Sequence, residues 1–249
     1  MKALVLDFDG VLCQSARETF VVGLATYLAL EPRSRLARAE RTALYDEFVG
    51  AMPLGNRAED FGVVLAALDR RAALPDQDAY DAFHRSVGAA WLRAFHARFY
   101  EERAALAARD PSGWLAMNPP YAPFLALLRR RAGAVPYAIA TAKDRPSVDR
   151  LLSAWGAADL FEPALVLDKE VAVSKRAHLE ALARHLDLPY AELTFVDDKV
   201  NHLDDVAGLG VRCALAAWGY NGPREHALAR ARGYRVCTLE DADTQLFAG

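Results

Sequence analysis

Short apolar segments alternate with amphipathic segments along much of the chain, and this alternation constrains the fold more than any other feature. Apolar runs of four or five residues are typical of parallel strands that are buried on both faces of a sheet. The runs span residues 3–6, 137–140, 164–167, 193–196 and 212–216, with 234–238 as a sixth candidate. Strands that alternate with helices predict an open α/β fold with helices on both faces of a parallel sheet.

Two of the intervening segments carry helix signals. Asp144 is a candidate N-cap and Pro146 fits a first helical turn. Apolar residues then recur at helical spacing at Val148, Leu151, Leu152 and Trp155. Behind Ser174 the same spacing returns at Leu179, Leu182, Ala183 and Leu186. Both segments therefore predict amphipathic helices that pack on the sheet.

Residues 14–117 lack this alternation and contain no convincing strand. The economical organisation is an α/β core made of residues 1–13 and 118–249. An all-helical insert, residues 14–117, then interrupts this core after its first strand.

Several helix signals lie within the insert. Ser15 and Glu18 match a capping box, and Asn56 with Glu59 matches a second one. An apolar stripe follows at Tyr80, Phe83, Val87, Trp91, Phe95 and Phe99. This spacing predicts one long helical segment, and such aromatic residues more often form a core than a cofactor site.

The composition fits a globular protein and excludes several classes. Of the 249 residues, 53% are hydrophobic, and the net charge of −3 argues against a protein that grips nucleic-acid backbones. The three cysteines, Cys13, Cys213 and Cys237, are too few for a disulfide framework. The apolar run before Asp7 is too short for a signal peptide, and residues 19–30 are too few to span a bilayer. We expect a reduced, soluble, cytoplasmic protein without nucleic-acid or membrane partners.

Polar residues collect just after the predicted strands, at the edge where open α/β sheets bind ligands. Asp7-Phe8-Asp9-Gly10 follows the first strand, and Thr141-Ala142-Lys143 follows the second. Asp197-Asp198 follows the fourth strand, and Lys175 lies in the first turn of the helix before it.

These residue types fit phosphoryl transfer. A carboxylate can attack phosphorus to form an acyl phosphate, and a second carboxyl two residues later can protonate the leaving oxygen and then activate water. Converging carboxylates require a cation, and Mg²⁺ prefers oxygen ligands. The Thr141 hydroxyl and the Lys175 ammonium can hold the remaining phosphoryl oxygens.

Each signal also has an ordinary structural explanation. An Asp-x-Asp sequence, a lone threonine and a pair such as Asp197-Asp198 are common in turns and helix caps. A lysine in a first helical turn opposes the helix dipole, which an exposed side chain tolerates at small cost. Lys143 and Lys169 are weaker candidates for the role of Lys175. The functional interpretation depends on four signals that occur in order, each at the end of a strand or helix.

Taken together, these segments resemble the motifs of the haloacid dehalogenase superfamily. The first motif is similar to residues 4–12 (LVLDFDGVL), the second to 138–141 (AIAT), the third to Lys175 and the fourth to 195–198 (FVDD). Residues 217–220 (AWGY) resemble a segment of its phosphoglycolate phosphatase-like and β-phosphoglucomutase-like branch. The resemblance covers the core and implies a Rossmann-like parallel sheet with a helical C1 cap inserted after the first strand.

The resemblance also implies a role for each matching residue. Asp7 would be the nucleophile and Asp9 the general acid/base. Asp7, the Asp9 backbone carbonyl and Asp198 would hold Mg²⁺, with Asp197 bound directly or through water. The transferring phosphoryl group would lie against Thr141, Ala142 and Lys175.

The implied activity is Mg²⁺-dependent hydrolysis of a small phosphomonoester through an aspartyl-phosphate, with the cap closing over the substrate. Asp9 separates the chain from dehalogenase-like and phosphonatase-like members, which resemble this fold but lack an acid at that position. A phosphomutase uses the same residues and stays an alternative. A receiver module of two-component signalling fits less well, because its paired acids come first and its phosphoaccepting aspartate later. A catalytically inactive binding protein on the same fold fits least, because every main motif position carries the residue type that the family uses.

The sequence leaves the subfamily and the substrate open. Ala142 stands where the family often has Asn or Ser, and Asn201 and His202 follow the paired acids where a later Asp is often found. In the insert, Gly55, Asn56 and Arg57 form a candidate substrate-binding loop, although an exposed turn between helices explains it equally well. The oligomeric state, monomer or homodimer, is not decided by the sequence.

Overall fold

The parallel sheet that the sequence predicts is present in the computed structural model, which describes residues 1–172 and 174–247. Its strands are β1 (Ala3–Leu6), β2 (Tyr137–Ala140), β3 (Val166–Leu167), β4 (Leu193–Asp197), β5 (Arg212–Ala216) and β6 (Arg235–Cys237). In the described residues they form one sheet in the order β3-β2-β1-β4-β5-β6, with every neighbouring pair parallel. The α/β fold class is therefore confirmed.

Three strands differ in length from the prediction. The third begins at Val166 instead of residue 164, because the proline-initiated 3-10 turn Pro163–Leu165 precedes it. The sixth covers only Arg235–Cys237, and the fourth extends one residue further, to Asp197. None of these differences changes which face of the sheet a side chain occupies.

The order of the strands places the site residues at one edge of the sheet. β1 pairs with both β2 and β4, so Leu6 lies opposite Ile139 on one side and Val196 on the other. The residues that follow or end these three strands therefore meet at the carboxyl edge of the sheet. Ligands bind in open sheets of this kind at the point where the strand order reverses, which here lies between β1 and β4.

Helices cover this sheet, and two of them begin at the N-caps that the sequence predicts. The helices of the core unit are α7 (Ala122–Arg130), α8 (Arg145–Ala154), α9 (Lys175–Leu186), α10 (Val200–Ala207), α11 (Pro223–Ala231) and α12 (Ala242–Phe247), numbered after six helices of the insert described below. The Asp144 carboxylate accepts a hydrogen bond from the N–H of Ser147 at 3.0 Å, and the Ser174 hydroxyl accepts one from Ala177 at 3.2 Å. Both N-cap predictions are confirmed.

The apolar face of α9 anchors it to the sheet. Leu179 and Leu182 are fully buried in one cluster with Phe195 of β4 and with Leu203 and Val206 of α10. Burying a leucine side chain stabilises a fold by about 1.5–3 kcal/mol. This packing fixes the position of Lys175, the first residue of the same helix.

The contacts divide the chain into two compact units, residues 1–14 with 119–249 and residues 15–118. The second unit is fully described and contains helices without a strand. Its helices are α1 (Ala16–Leu30), α2 (Arg41–Ala51), α3 (Ala58–Arg70), α4 (Gln77–Val87), α5 (Ala89–Arg109) and α6 (Pro111–Ala116). Within this helical unit α1, α3 and α5 pack against one another, and Gly62 lets the buried ring of Phe95 approach α3 closely.

The predicted capping boxes are wrong in detail. Ser15 precedes α1, but its side chain makes no capping hydrogen bond. The Glu18 carboxylate, which would complete the box, instead forms a buried ion pair with Arg103 at 2.8 Å. At the second start, Asp60 replaces Glu59: its Oδ2 accepts hydrogen bonds from the N–H groups of Asn56 and Arg57 at 2.8 and 3.0 Å.

The aromatic stripe lies on two helices instead of one. Gly88, with φ of +94°, separates α4 from α5, and this backbone conformation ends a regular helix. Tyr80, Phe95 and Phe99 are buried, so these members of the stripe belong to the core of the helical unit. No helix among the described residues combines the length and apolar character that crossing a membrane requires.

Candidate active site

Asp7 lies directly after β1 and is almost fully buried, with 6% of its surface exposed. Its N–H donates to the carbonyl of Val196 at 2.9 Å, which extends the β1–β4 ladder by one step. Its Oδ1 accepts a hydrogen bond from the N–H of Phe8 and contacts the Lys175 ammonium, both at 2.7 Å. Burial raises the pKa of Asp7 to about 7, against the opposing charge of Lys175. Among the described residues, these polar contacts engage Oδ1 and leave Oδ2 without a partner.

Lys175 joins three strands of the sheet through its ammonium. Its Nζ donates to the Ala140 carbonyl at the end of β2 and contacts Asp7, both at 2.7 Å, and it lies 3.2 Å from Asp197. Burial opposes the charged form, but the carboxylates of Asp197 and Asp7 outweigh it and raise the pKa of Lys175. A positive charge at the start of α9 interacts unfavourably with the helix dipole, and the attraction of these two carboxylates offsets that cost.

Asp197 and Asp198 have different surroundings. Asp197 is fully buried, and its carboxylate accepts a hydrogen bond from the N–H of Lys199 at 2.9 Å and contacts His202 Nδ1 at 3.0 Å as well as Lys175. Although burial opposes ionisation, the charges of His202 and Lys175 hold the pKa of Asp197 below its usual range. Asp198 accepts a hydrogen bond from the N–H of Tyr220 at 2.8 Å, and burial raises its pKa to about 6.

Two glycines make room for the Asp198 carboxylate. Gly10 has φ of +83°, and a Cβ atom there would lie 2.4 Å from Oδ2 of Asp198. A Cβ atom at Gly219 would lie 2.3 Å from the Cβ of the same aspartate. The turn after Asp9 and the segment after β5 therefore enclose Asp198, and each requires glycine for a steric reason.

We expect Gly10→Ala to unfold more easily than the matched variant Gly133→Ala. Gly133 has the same φ of +83°, but a Cβ atom there would meet nothing within 4 Å. Both variants lose roughly 1–2 kcal/mol from backbone strain, whereas only Gly10→Ala also displaces Asp198. Urea unfolding measures the difference, and equal destabilisation of the two variants would contradict the close approach of Asp198 to Gly10.

Asp9 and Thr141 are linked by Lys143. The Lys143 ammonium lies 3.0 and 3.4 Å from the two carboxylate oxygens of Asp9. The N–H of Lys143 donates to the hydroxyl of Thr141 at 3.0 Å, and Thr141 itself is held at the end of β2 by a 2.9 Å hydrogen bond from its N–H to Leu167. Ala142 is half-buried in the same turn.

The three residues predicted to bind substrate from the insert lie in the helical unit. Gly55 and Asn56 follow the 3-10 turn Met52–Leu54, and the exposed Arg57 directly precedes α3. The Oδ1 atom of Asn56 is buried without a hydrogen-bond partner in the described part of the chain. Their role in binding substrate stays a prediction.

The acidic residues of the core fit a hard cation. Among the described residues, Asp7, Asp197 and His202 bring ligand atoms within 4.8 Å of one another. The Lys175 ammonium already contacts both of these carboxylates, so a positive charge is in place between them. Asp198 is a further buried carboxylate at this edge of the sheet, and carboxylate oxygens suit Mg²⁺.

Comparison with known families agrees with this geometry. A sequence model of the haloacid dehalogenase-like hydrolases matches residues 1–204, a range that includes Asp7, Asp9, Thr141, Lys175, Asp197 and Asp198. The chain belongs to this family. It is therefore a hydrolase-family enzyme, and the recognition of the family from its four motifs is confirmed.

Solved structures share the fold at low sequence identity. A predicted phosphoglycolate phosphatase from Haemophilus somnus is 18% identical, with 98% of this chain and 97% of that one covered and a TM-score of 0.66. A haloacid dehalogenase-like family protein from Streptococcus pneumoniae is 13% identical over 98% of both chains, with a TM-score of 0.65. A hydrolase of this family from Deinococcus radiodurans, solved with bound phosphate and sodium, is 19% identical over 99% and 95% of the chains, with a TM-score of 0.59. No curated protein matches the chain.

Two contacts at the site were not anticipated from the sequence. His202 bonds to Asp197 from five residues away on α10, and Lys143 pairs with Asp9 across 134 residues. The first contact joins the last residue of β4 to the first turn of α10, so helical periodicity does not predict it. No local pattern indicates the second, because it depends on the pairing of β1 with β2.

Proposed function

We propose that the protein hydrolyses a small phosphomonoester through an aspartyl-phosphate on Asp7. The observation that carries this proposal is the Asp7 carboxylate itself. One of its oxygens is held by Lys175 and by the N–H of Phe8, whereas the other has no partner among the described residues. A buried, oriented carboxylate with one unoccupied oxygen suits nucleophilic attack.

The reaction divides into two displacements at phosphorus. In the first, an oxygen of Asp7 attacks, the bond to the ester oxygen breaks, and Asp9 donates a proton to that oxygen. In the second, water attacks the aspartyl-phosphate, Asp9 accepts its proton, and the bond between phosphorus and Asp7 breaks. Thr141 and Lys175 would contact the phosphoryl oxygens, with Ala142 beside them.

We further propose that Asp7, the backbone carbonyl of Asp9 and Asp198 hold Mg²⁺. The Asp197 carboxylate is already engaged by Lys175, His202 and the N–H of Lys199. Asp197 would therefore contact the ion through a water molecule. When bound, Mg²⁺ offsets the negative charge that the carboxylates and the phosphoryl group bring together.

A panel of small phosphomonoesters tests this function. We expect phosphate release in the presence of Mg²⁺ and its loss when EDTA removes the metal. Release that persists in EDTA would contradict the metal assignment. If a folded protein converts a sugar phosphate into its isomer without net release, a phosphomutase replaces the hydrolase.

We also propose that the helical unit serves as a cap that excludes bulk water and selects the substrate. Its place in the chain supports this role, because residues 15–118 interrupt the core between β1, which Asp7 follows, and the remaining strands. The three free, buried cysteines fit the reduced cytoplasm expected for the protein.

Arg57→Ala tests the contribution of the cap loop to substrate binding. The alanine keeps the N–H that bonds to Asp60, so α3 should form as before. We expect KM for the best substrate of the panel to rise about tenfold, which corresponds to roughly 1.4 kcal/mol of binding, with kcat unchanged. Arg33→Ala, which removes an exposed arginine elsewhere in the helical unit, is the matched control. Identical KM values in the two variants would remove Arg57 from substrate binding.

A further inference from the structure

We propose that Lys143 is a positioning residue that orients the Asp9 carboxylate for hydrolysis of the aspartyl-phosphate. This inference rests on the proposed function and adds to it a residue with no direct role in phosphate binding. Asp9 must accept a proton from water in the second displacement, and the direction of its carboxylate decides whether it can do so.

The contact between the two side chains is close and involves both carboxylate oxygens. The Lys143 ammonium lies 3.0 Å from Oδ1 and 3.4 Å from Oδ2 of Asp9. The side chain of Lys143 is fully buried, whereas that of Asp9 is 32% exposed. The lysine is therefore the fixed partner, and the aspartate is the partner that reaches the solvent side of the site.

The backbone and the surrounding rings hold Lys143 in place. Its N–H donates to the Thr141 hydroxyl, so the lysine is tied to the same turn that offers Thr141 to the phosphoryl group. Its ammonium lies 6.0 Å from the centre of the Phe8 ring, which stacks on Trp155 of the core unit at 5.6 Å. A buried ammonium is costly unless it is paired, so the contact with Asp9 stabilises Lys143 in its buried position. The same contact orients the Asp9 carboxylate.

This geometry bears on the second displacement, in which Asp9 acts as the base. The Lys143 ammonium contacts both oxygens of the side chain that receives the proton of water. In this step an O–H bond of water breaks and its proton moves to Asp9. The water oxygen bonds to phosphorus, and the electron pair of the broken phosphorus–oxygen bond returns to Asp7. A general base contributes only when it is correctly aligned, and a displacement of about 1 Å can cost roughly 100-fold in rate.

Lys143 and Lys175 therefore have separate tasks. Lys175 contacts the nucleophile Asp7, and Lys143 contacts the acid/base Asp9. Removal of Lys175 should slow formation of the aspartyl-phosphate, whereas removal of Lys143 should slow its breakdown.

Rapid-mixing kinetics with p-nitrophenyl phosphate and saturating Mg²⁺ separate these two steps. p-Nitrophenolate leaves without a proton, so the first displacement does not depend on Asp9 for this substrate. For Lys143→Met we expect a rapid release of about one equivalent of p-nitrophenolate per enzyme, followed by turnover roughly 10- to 100-fold slower than in the parent. KM should fall together with kcat, and acid quenching should trap phosphate bound to the protein.

Three variants complete the experiment. Asp9→Asn should show the same burst, because it removes the base itself. Lys143→Gln retains a hydrogen-bond donor for Asp9 and should lie between the parent and Lys143→Met, and it serves as the main variant if the methionine variant does not fold. Lys2→Met, an exposed lysine of the same unit that pairs with Glu192, should behave as the parent.

The outcomes that overturn the inference are distinct from those that overturn the function. One such outcome, in Lys143→Met and Lys143→Gln, is a p-nitrophenolate burst whose rate falls by the same factor as the steady-state rate, with weaker inhibition by inorganic phosphate. That result would show that Lys143 binds phosphate and does not position Asp9. Kinetics identical to the parent likewise reject the inference. If Asp9→Asn itself shows no burst while the parent hydrolyses the ester, the acid/base assignment fails first, independently of Lys143.

Discussion

Asp7→Asn should lower phosphate release by roughly 10⁴-fold or more, because it removes the carboxylate that we propose as the nucleophile. The asparagine side chain has the same shape, so its amide oxygen can still accept the hydrogen bond from the N–H of Phe8. An amide cannot form the aspartyl-phosphate. The fold should survive, since Lys175 retains Asp197 and the Ala140 carbonyl as partners. Steady-state phosphate release across the phosphomonoester panel, together with acid-quench trapping of phosphate on the protein, measures this loss.

The stability of the same variant provides a second readout. Because burial raises the pKa of Asp7 to about 7 from an ordinary value near 4, ionising this carboxyl costs folding free energy as pH rises through that range. In EDTA at pH 8, Asp7→Asn should therefore melt at the same temperature as the parent or higher. Asp187→Asn, at an exposed left-handed residue that asparagine tolerates, is the matched control. Activity that survives Asp7→Asn, with contaminants excluded, would reject Asp7 as the nucleophile.

Lys175→Met should have the largest effect on stability. It leaves two buried carboxylates, Asp7 and Asp197, without the ammonium that lies between them. Breaking a buried ion pair by removing one partner typically costs about 3–5 kcal/mol, and we expect a loss of this size in the free energy of unfolding at pH 8. The loss should shrink at pH 5.5, because a protonated Asp7 no longer repels Asp197. Urea unfolding at the two pH values measures both effects.

Two controls separate this effect from the loss of any lysine. Lys169→Met removes a surface ion pair with Glu170 and should cost about 0–1 kcal/mol. In the double variant Asp7→Asn with Lys175→Met, the combined loss should be smaller than the sum of the single losses, since the two side chains act on each other. Additive losses would show that the contact between Asp7 and Lys175 contributes little to the stability of the core.

The sequence predicts those parts of the fold that depend on neighbouring residues. Each of the six predicted strand segments contains an observed strand, because buried parallel strands require continuous apolar runs. The N-caps at Asp144 and Ser174 follow from local hydrogen bonding. The predicted strand from residue 164 was too long, because Pro163 favours a turn that the apolar pattern does not reveal.

Contacts between distant residues account for what the sequence did not predict. Glu18 has the right spacing for a capping box, yet it pairs with Arg103, 85 residues away, which no local rule anticipates. The pairing of Lys143 with Asp9 likewise follows from the order of strands in the sheet. Helix α5 begins after Gly88 because the backbone turns there, although the apolar spacing continues across the break.

The central position of β1 has a consequence for the order in which the protein folds. β1 is the first strand of the chain, but its two hydrogen-bonded neighbours lie far along the sequence, and β4 begins at Leu193. At about 5–20 residues per second, a ribosome needs roughly 10–40 s to synthesise the intervening stretch. The helical unit lies within that stretch and is compact by itself, so it can fold while β1 still lacks its partner β4. Asp7, the proposed nucleophile, is thus made early but acquires its surroundings late, and we expect the nascent chain to stay inactive until most of it has been translated.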